Sequence, residues 1–436
     1  MPKRQSRRPQ PPAQTPEIVV QVDLHDLAAG GNGLGRLADG RVIFVRGGLA
    51  GETVRARILR QRKDYAEAEL QEVLAPSPQR VEPVCPVYGR CGGCDLMHLD
   101  YPAQLEAKAG WVTRALRRLE GLPEARVLAS PLEWGYRNRV RLQLKQGVAG
   151  FYARQSHQLV PVKQCPVAAA GVNRLLPELS LSLGELPWSE CRWLEVLAGE
   201  EGPAHLTLDW PWEDLPEDLD ALASGLGVAG IRLAGPEGLE PWPLRPETGL
   251  VYHEDQGLAL RAFPGHFSQV NWAGNAKLIA AVQDAAAGLE PGAALDLYAG
   301  SGNFSLPLLA AGWRVTAVEG QEEAAQAAFV QANWAGLSAG LQVRAQGAEL
   351  ALGQMIEAGQ RFDLAVLDPP REGAKGLMPG LAALGPRRVV YVSCHPAALA
   401  RDAQELAAAG YRPSALTVLD LFPHTGHVEA VLVLDR

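Results

Sequence analysis

The fold is decided by the stretch Ala294-Leu295-Asp296-Leu297-Tyr298-Ala299-Gly300-Ser301-Gly302-Asn303-Phe304-Ser305, in which a short apolar run ends in a Gly-X-Gly turn. Residues 306–311 then have a helical pattern, so we predict a strand, a glycine-rich turn and a helix in succession. Such glycines let the backbone approach a ligand closely, and the start of the helix offers free N–H groups. A second apolar run, 313–318, ends in Glu319, where an acidic residue can accept hydrogen bonds from both ribose hydroxyls of an adenosine. We therefore predict a nucleotide-like ligand at this turn, and a purely structural glycine turn is the alternative.

The residues after this stretch continue the alternation of strands and helices to the C-terminus, which predicts a mostly parallel, doubly wound α/β sheet. One strand ends at Asp368-Pro369-Pro370-Arg371, another ends at Ser393-Cys394, and a last, antiparallel strand begins near Glu429. Because ligands of such sheets bind at the carboxyl ends of the strands, the glycine turn, two carboxyl groups and a thiol should share one edge. A buried core thiol is the alternative interpretation of Cys394, but a position just past a strand end is poorly suited to burial.

The pattern Asp-x-Tyr-x-Gly-x-Gly, from Asp296 to Gly302, resembles the first motif of S-adenosylmethionine-dependent methyltransferases. A thiol helps a methyl transfer when the acceptor is C5 of a pyrimidine, because this carbon alone is too weak a nucleophile. Addition of a thiolate to C6 makes C5 an enolate carbon, and a general base must later remove the C5 proton before the thiol leaves. We assign these two roles to Cys394 and Glu429, with His424 and His427 in the same loop as alternative bases.

The N-terminal part of the chain has a different organisation. Residues 1–16 are basic and rich in Pro and Gln with no apolar segment after them, which indicates a disordered tail rather than a signal peptide. Short predicted strands and glycine turns in residues 17–76 are typical of a small β-barrel, and their order resembles the TRAM domain, an OB-like RNA-binding module. Its later half carries the basic residues Arg55, Arg57, Arg60, Arg62 and Lys63. A solvated barrel face explains these residues as well as RNA binding does.

The net charge of −8 argues at first against a polyanionic partner, but the charges are unevenly distributed. Residues 1–80 and 104–145 carry excesses of four and five positive charges, whereas residues 185–245 carry an excess of ten negative charges. We predict an amphipathic helix at 101–120 with Lys108, Arg114, Arg117 and Arg118 on its polar side. Basic residues alternate along a predicted strand at 136–141 beside Tyr136, which could be a solvated sheet face but suits RNA binding slightly better. Because local patches attract a polyanion, RNA is a candidate partner. No apolar run approaches the ~20 residues needed to cross a membrane.

Four of the six cysteines form one pattern, Cys85-x5-Cys91-Gly-Gly-Cys94 together with the distant Cys165. Four thiols could hold a tetrahedral zinc ion or an iron–sulfur cluster, and spacing alone does not choose between them. The Gly92-Gly93 pair leaves backbone N–H groups that could face bound sulfurs. Chance occurrence of buried thiols is the alternative for the four; for Cys191, an ordinary buried thiol is our interpretation.

Together these motifs resemble the RNA uracil-5-methyltransferase family, in particular its iron–sulfur 23S rRNA branch with an N-terminal TRAM domain. Phe267-Ser268-Gln269-Val270-Asn271 and His427-Val428-Glu429 also match, and the resemblance runs from about residue 17 to the C-terminus. It implies a [4Fe-4S] cluster on the four thiols, Cys394 as nucleophile and Glu429 as general base. With the glycine turn, it also implies S-adenosylmethionine contacts from Gln269, Tyr298, Gly300, Gly302, Asn303, Glu319 and Asp368.

The predicted architecture combines α/β and β parts. After the tail (1–16) we expect the OB-like TRAM β-barrel (17–76), a central α+β domain with the iron–sulfur site (77–260) and a Rossmann-like class I methyltransferase domain (261–436). The expected product is a 5-methylated uridine in 23S rRNA, formed through a covalent adduct between the cysteine and C6. We expect a cytoplasmic monomer that binds RNA and no membrane.

Several alternatives and departures accompany this prediction. The substrate could be tRNA, or the chain could be an RNA-binding factor with a non-catalytic methyltransferase fold, although intact Cys394 and Glu429 argue against the latter. A cytosine-5 enzyme would carry a second cysteine where this chain has Asp-Pro-Pro-Arg, and an amino-methyltransferase would not need Cys394. His395 stands where the family commonly has Asn, and a cofactor contact expected near Gln346-Gly347-Ala348 is not assigned. Phe267 is the candidate ring to receive a flipped uridine.

Overall fold

The computed structural model describes residues 18–182, 191–212, 219–235 and 238–436. The predicted tail, residues 1–16, lies outside these ranges. The chain divides into two compact units, one ending at Arg80 and the other beginning at Val81. Among the described residues, no helix is long and apolar enough to cross a membrane.

The N-terminal unit is a closed five-stranded barrel with the order β1-β2-β3-β5-β4. Its strands are β1 (Val19–Leu27), β2 (Asn32–Arg36), β3 (Val42–Arg46), β4 (Thr53–Gln61) and β5 (Tyr65–Ala75). Alternate residues such as Ile43, Val45 and Val54 are buried in its centre, as the period of two in a strand requires. Gly33 lets two turns meet, because a Cβ there would lie 2.8 Å from the carbonyl oxygen of Gly48. The predicted small β-barrel is confirmed.

The arginines of β4 form ion pairs with glutamates of the neighbouring strand β5. Arg55 contacts Glu72 at 2.7 Å, Arg57 contacts Glu69 at 2.9 Å, and the guanidinium of Arg60 lies 3.9 Å from Glu67. This ladder is close to charge-neutral, so it has little net charge to attract a polyanion. The pairing favours the solvated-face interpretation for these three arginines.

The C-terminal unit begins with the helix α1 (Tyr101–Leu116) and the strand β6 (Ala125–Leu128), followed by a seven-stranded sheet in the order β13-β12-β11-β10-β7-β8-β9. The elements of this central sheet are β7 (Arg139–Lys145), β8 (Val148–Tyr152), β9 (Leu159–Pro161), α2 (Ala170–Ser182), β10 (Trp193–Leu197), β11 (Ala204–Asp209), α3 (Leu219–Gly225), β12 (Val228–Gly235) and β13 (Gly238–Leu239). The described parts of 185–245 thus contribute strands β10 to β13 to this sheet. Cys191 is 3% exposed, in agreement with an ordinary buried thiol.

A hairpin of β14 (Leu250–Asp255) and β15 (Leu258–Ala262) leads into the catalytic sheet, which has eight strands in the order β18-β17-β16-β19-β20-β22-β21-β6. The remaining elements are α4 (Trp272–Ala286), β16 (Ala293–Leu297), α5 (Ser305–Ala310), β17 (Arg314–Glu319), α6 (Glu322–Trp334), β18 (Leu341–Ala345), α7 (Ala348–Glu357), β19 (Leu364–Leu367), α8 (Met378–Leu384), β20 (Arg388–Ser393), α9 (Pro396–Ala408), β21 (Arg412–Leu419) and β22 (Glu429–Asp435). Strand β22 runs antiparallel to both β20 and β21, as predicted. The doubly wound α/β sheet is confirmed.

The catalytic sheet also includes a strand from well before residue 261. Strand β6 pairs in parallel with β21 at its edge, and α1 packs against α9. The predicted boundary at 260 therefore does not separate two independent sheets, since part of the predicted central domain completes the methyltransferase sheet.

Two predictions about basic or aromatic surface residues are wrong. Lys108, expected on the polar side of its helix, is 1% exposed, and its ammonium donates to Asp420 at 2.6 Å. It is buried because this ion pair and a hydrogen bond to the Phe422 carbonyl oxygen at 2.9 Å satisfy the charge. Tyr136, expected beside RNA-binding arginines, is also 1% exposed and donates its hydroxyl to the Pro423 carbonyl oxygen at 2.9 Å.

Candidate active site

The glycine turn after β16 has the backbone that its sequence predicted. Gly300 and Gly302 have φ values of 55° and 94°, a region that favours glycine, and Tyr298 is held at 62° despite its side chain. Space also selects glycine at 302, because a Cβ there would lie 3.0 Å from the side chain of Leu306. Helix α5 follows directly, so the turn is the strand–turn–helix unit of a nucleotide site.

Glu319 lies at the end of β17, as predicted, and binds the turn itself. Its two carboxylate oxygens accept the N–H groups of Gly300 at 2.9 Å and Gln321 at 2.8 Å. Each oxygen retains a second lone pair, so these bonds leave acceptor capacity for ribose hydroxyls. Glu319 thus fixes the conformation of the glycine turn.

Asn303 belongs to a three-residue network that the sequence analysis missed. Its Oδ1 accepts the Tyr252 hydroxyl at 3.1 Å and the Asn275 amide at 2.8 Å, while its Nδ2 donates to Asn275 Oδ1 at 3.1 Å. Asn275 is completely buried in α4. The available signal was an amide side chain in the first part of a largely apolar helix, but its partner lies 28 positions away.

A pocket of about 40 Å³ opens beside this network. Five of the predicted cofactor residues line it: Gln269, Tyr298, Gly300, Asn303 and Asp368. Gln269 donates from Nε2 to Asp368 Oδ2 at 3.4 Å, which links the segment before α4 to the end of β19. The exposed ring of Phe267 lies at the rim of the same pocket. Gly302 and Glu319 are not among its lining residues.

Two buried carboxyl groups, those of Asp296 and Glu429, and the half-buried carboxyl group of Asp368 lie at this edge of the sheet. Burial raises the pKa of Asp296 to about 7, against a hydrogen bond from the Ser305 hydroxyl at 2.5 Å. Burial also raises the pKa of Asp368 to about 7, against the Gln269 hydrogen bond that lowers it. For Glu429, burial and then the charge of Asp368 raise the pKa well above its ordinary value. The site is therefore rich in carboxyl groups that hold protons tightly when no cation is near.

Cys394 is half-buried just past the end of β20. Burial raises the pKa of its thiol to about 11, and the nearby charges of Glu429 and Asp368 add to this rise. The guanidinium of Arg371 acts in the opposite direction. The charges of Glu429 and Asp368 act on the thiol only because they lie near it. The structure thus brings the predicted thiol and both predicted carboxyl groups into one site.

His395, the departure from the family motif, caps the helix that follows the thiol. Its Nδ1 accepts the Ala398 N–H of α9 at 3.2 Å, and Pro396 occupies the first turn. An Asn in this position would offer the same kind of N-cap acceptor, which explains how the sequence tolerates the replacement. Since Nδ1 is the acceptor, the neutral ring carries its proton on Nε2.

The two histidines proposed as alternative bases have other partners. His427 Nδ1 lies 2.8 Å from a guanidinium nitrogen of Arg371, and burial lowers the pKa of this ring to about 4. The ring of His424 stacks on Trp134 at 3.8 Å and its Nδ1 lies 3.2 Å from Gln104 Nε2. Burial lowers the pKa of His424 to about 4 as well. Both rings are thus neutral at pH 7.

The four thiols of Cys85, Cys91, Cys94 and Cys165 line one cavity of about 300 Å³. Burial, and then the other thiols, raise the pKa of Cys94 to about 12. Among the described residues, no three His, Cys, Asp or Glu side chains are grouped so as to hold one metal ion. The thiols therefore face a common space without the tight grouping of a mononuclear site.

The glycines between the thiols have different roles. The Gly93 N–H donates to the sulfur of Cys91, as predicted, whereas the Gly92 N–H donates to the Tyr152 carbonyl oxygen at 3.0 Å. Gly92 is instead required by space, because a Cβ there would lie 3.1 Å from that same oxygen. The backbone N–H groups of Val167 and Ala168 lie near the sulfur of Cys165 and lower its pKa against the effect of burial, and the Ala168 N–H donates to the Cys165 carbonyl oxygen at 3.0 Å. Backbone donors thus serve two of the four sulfurs.

This fold and site define a class I S-adenosylmethionine-dependent methyltransferase with a thiol beside its cofactor pocket. The tRNA (Uracil-5-)-methyltransferase family profile matches residues 250–436, and the TRAM domain profile matches residues 18–71. The chain belongs to the RNA uracil-5-methyltransferase family and is an enzyme of this class.

Full-length relatives support this assignment. The 23S rRNA (uracil(1939)-C(5))-methyltransferase RlmD of Alkalilimnicola ehrlichii is 37% identical over 100% of this chain and 99% of its own length. The protein of the same description from Pseudomonas putida is 37% identical over 97% of this chain and 96% of its own. The fold matches that of the Pyrococcus abyssi tRNA (uracil-54, C5)-methyltransferase in complex with S-adenosyl-L-homocysteine, with a TM-score of 0.73, 23% identity, and coverage of 95% of this chain and 100% of that chain.

Proposed function

We propose that this enzyme methylates C5 of one uridine in 23S rRNA, at the position corresponding to uracil 1939 of its relatives. The observation that supports this most strongly is the placement of Cys394 with the buried carboxyl group of Glu429 beside the cofactor pocket. A thiol and a buried base next to a methyl donor suit a pyrimidine carbon that must first be activated. Because the substrate is ribosomal RNA, we also propose that the enzyme acts in the cytoplasm, as a monomer.

The cofactor pocket is proposed to hold S-adenosylmethionine through Gln269, Tyr298, Asn303 and Asp368, with Glu319 on the ribose. The cofactor supplies an electrophilic methyl group on a positively charged sulfur. The carboxyl group of Asp368 suits the positive charges of this molecule, because a cation nearby favours its ionised form. The amide network around Asn303 keeps its side chain in one orientation.

Cys394 is proposed to react as a thiolate, a form that the guanidinium of Arg371 favours, after its thiol has lost a proton to water. Its sulfur forms a bond to C6 of the uracil, and the electron pair of the C5–C6 double bond moves to C5 and the C4 carbonyl. Once C5 carries the new methyl group, Glu429 removes the C5 proton as a carboxylate. The electrons of that C–H bond restore the double bond and expel the thiolate. A raised pKa makes the carboxylate of Glu429 a stronger proton acceptor than an exposed glutamate.

The uridine must leave its stack to reach Cys394, and Phe267 is proposed to contact the flipped base or its neighbour. Its side chain is 64% exposed at the rim of the cofactor pocket. An exposed aromatic ring beside a catalytic pocket is well suited to stack on an unstacked RNA base. The tRNA alternative rests on the family profile alone, and methylation of isolated 23S rRNA and tRNA fragments would separate the two.

The four thiols are proposed to hold a [4Fe-4S] cluster. A tetrahedral zinc ion on the same four thiols is the alternative. The shared cavity and the backbone N–H groups on Cys91 and Cys165 suit the larger cluster. Methyl transfer requires no electron, so the cluster would act on structure or RNA contact. Anaerobically purified protein should contain about four irons per chain; stoichiometric zinc without iron would contradict this proposal.

The substitution Glu429→Gln tests the proposed function. It keeps the size of the side chain but cannot accept a proton, so thiol addition and methylation should proceed while elimination stalls. Methylated RNA should remain attached to Cys394 through denaturing electrophoresis, and kcat should fall far more than the affinity for RNA. The matched control Cys394→Ala should form no adduct. Normal turnover by Glu429→Gln would place the base elsewhere.

A further inference from the structure

The loop that leads to Glu429 is held from outside the catalytic sheet. This base loop, residues 420–428, joins β21 to β22 and ends at the first residue of β22. One of its residues, His424, has a φ of 66°, which a side chain other than glycine adopts only when its surroundings impose it. The surroundings that impose it come from α1 and from the segment directly after the third thiol.

Asp95, the residue after Cys94, contacts the base loop on both sides of Thr425. Its backbone N–H donates to the His424 carbonyl oxygen at 3.0 Å, and its Oδ2 accepts the Gly426 N–H at 3.1 Å. Asp95 is itself held in place, since the Tyr88 hydroxyl donates to its carbonyl oxygen at 2.9 Å. Its other carboxylate oxygen forms an ion pair with Arg154. A charged acceptor on a backbone N–H makes one of the stronger hydrogen bonds in proteins.

The carboxyl group of Glu429 has no such support of its own. It is 2% exposed, its Oε1 is buried without a partner, and no hydrogen bond from its side chain occurs among the described residues. Its position is therefore set by the backbone of β22 and by the base loop that delivers the chain to it. Helix α1 also holds the backbone of the loop at His424, because Gln104 Oε1 accepts the His424 N–H at 2.8 Å.

The same loop also borders the four thiols. Thr425 and His427 line the thiol cavity together with Cys94, and His427 contacts Arg371 on its other side. The base loop thus lies between the thiol cavity and the active site, and Asp95 is the residue that joins a thiol ligand position to the loop through hydrogen bonds.

We propose that Asp95 is a positioning residue for the general base, and that it transmits the order of the thiol site to Glu429 through its hydrogen bond to Gly426. This inference rests on the role proposed for Glu429. It assigns the thiol site a specific task in the reaction, since an ordered Cys94 fixes Asp95 and thereby the approach to the base. The step that depends on Asp95 is then the removal of the C5 proton and not the addition of the thiol.

The experiment compares Asp95→Ala, Asp95→Asn and Arg154→Ala as anaerobically purified, iron-loaded full-length enzymes. Asp95→Ala removes the acceptor for the Gly426 N–H, and kcat should fall on the order of tenfold to a hundredfold while KM for RNA stays within about twofold. Covalent RNA–protein complex should accumulate on denaturing gels, as with Glu429→Gln. Asp95→Asn keeps an oxygen acceptor and should retain most of the turnover. Arg154→Ala removes only the ion pair and should behave like Asp95→Asn.

Iron content and S-adenosylmethionine affinity show whether each variant is folded. If Asp95→Ala is insoluble, Asp95→Ser replaces it, because its short side chain is polar but does not reach Gly426. Loss of turnover without accumulated adduct, or equal defects in all three variants, would overturn the inference. If Glu429→Gln itself forms no adduct in the parallel reaction, the proposed function fails instead, so the two failures are distinguishable.

Discussion

The affinity for S-adenosylmethionine should depend on pH through Asp368. Burial raises the pKa of this carboxyl group to about 7, so the ligand-free site holds a proton below pH 7 and a negative charge above it. The cofactor is positively charged and should bind the ionised form. With a pKa near 7, the ionised fraction is about 9% at pH 6 and about 91% at pH 8, so the dissociation constant should fall about tenfold over this interval.

Isothermal titration calorimetry measures this effect in two ways. The dissociation constant is followed from pH 5.5 to pH 8.5, and the proton release is obtained at pH 6 from buffers with different ionisation enthalpies. Binding at pH 6 should release about 0.9 proton per cofactor, because the complex requires the carboxylate. The substitution Asp368→Asn should flatten the pH dependence and weaken binding at pH 8.

Two controls identify the titrating group. Asp296 has a pKa of about 7 as well, but its Oδ2 is bonded to the Ser305 hydroxyl, and it is intact in Asp368→Asn. Glu429→Gln should keep the transition near pH 7, because Asp368 and its hydrogen bond from Gln269 are intact in this variant. A dissociation constant that does not change between pH 6 and pH 8, or an unchanged transition in Asp368→Asn, would refute the reasoning.

Three further predictions concern stability and RNA binding. A carboxyl group whose pKa is raised by folding stabilises the folded state fully at a pH below its unfolded-state pKa, and this stability is lost as the pH rises through the folded-state pKa. The Tm of the ligand-free enzyme should therefore fall between pH 5 and pH 8, and it should fall less in Asp368→Asn. An identical fall in both proteins would exclude Asp368 as a cause. His395→Ala should lower the free energy of unfolding by about 1 kcal/mol through loss of the N-cap, while His395→Asn should change it little in urea titrations; equal losses would refute the capping role. Arg62→Gln at the turn after β4 should reduce the slope of log affinity against log salt by about one, whereas Arg55→Gln should not, because Arg55 is paired with Glu72; equal slopes would contradict this distinction.

The sequence predicted the elements of the active site because their signals are local. A glycine turn after an apolar run, a thiol just past a strand end and an acidic residue at the next strand each occupy a few neighbouring residues. The doubly wound topology then brings Asp368, Cys394 and Glu429 to one edge without further information. The structure agrees with this placement, and their catalytic roles remain for the substitutions above to test.

What the sequence did not reveal depends on contacts between distant residues. Lys108 looks like a surface cation in its helical pattern, and its burial depends on partners more than 300 positions away, the Asp420 carboxylate and the Phe422 carbonyl oxygen. The arginines of β4 look like an RNA-binding stripe until the register places glutamates of β5 opposite them. Asp95 carries no motif of its own, because its significance lies in the loop that its backbone and carboxylate contact. Which distant residue a side chain contacts is decided by the tertiary structure, and it cannot be read from composition or periodicity.

Strand β6 has a consequence for how the enzyme is made. The C-terminal family profile begins at residue 250, yet the outermost strand of the catalytic sheet comes from residues 125–128. A fragment starting at 250 would leave β21 as an uncovered edge with unpaired N–H and C=O groups, an open template for aggregation. During synthesis, β6 leaves the ribosome almost 300 residues before β21, the strand it must pair with. The edge of the catalytic sheet at β6 therefore cannot form until translation is nearly complete. A chaperone that shields β6 until then would raise the yield of active enzyme.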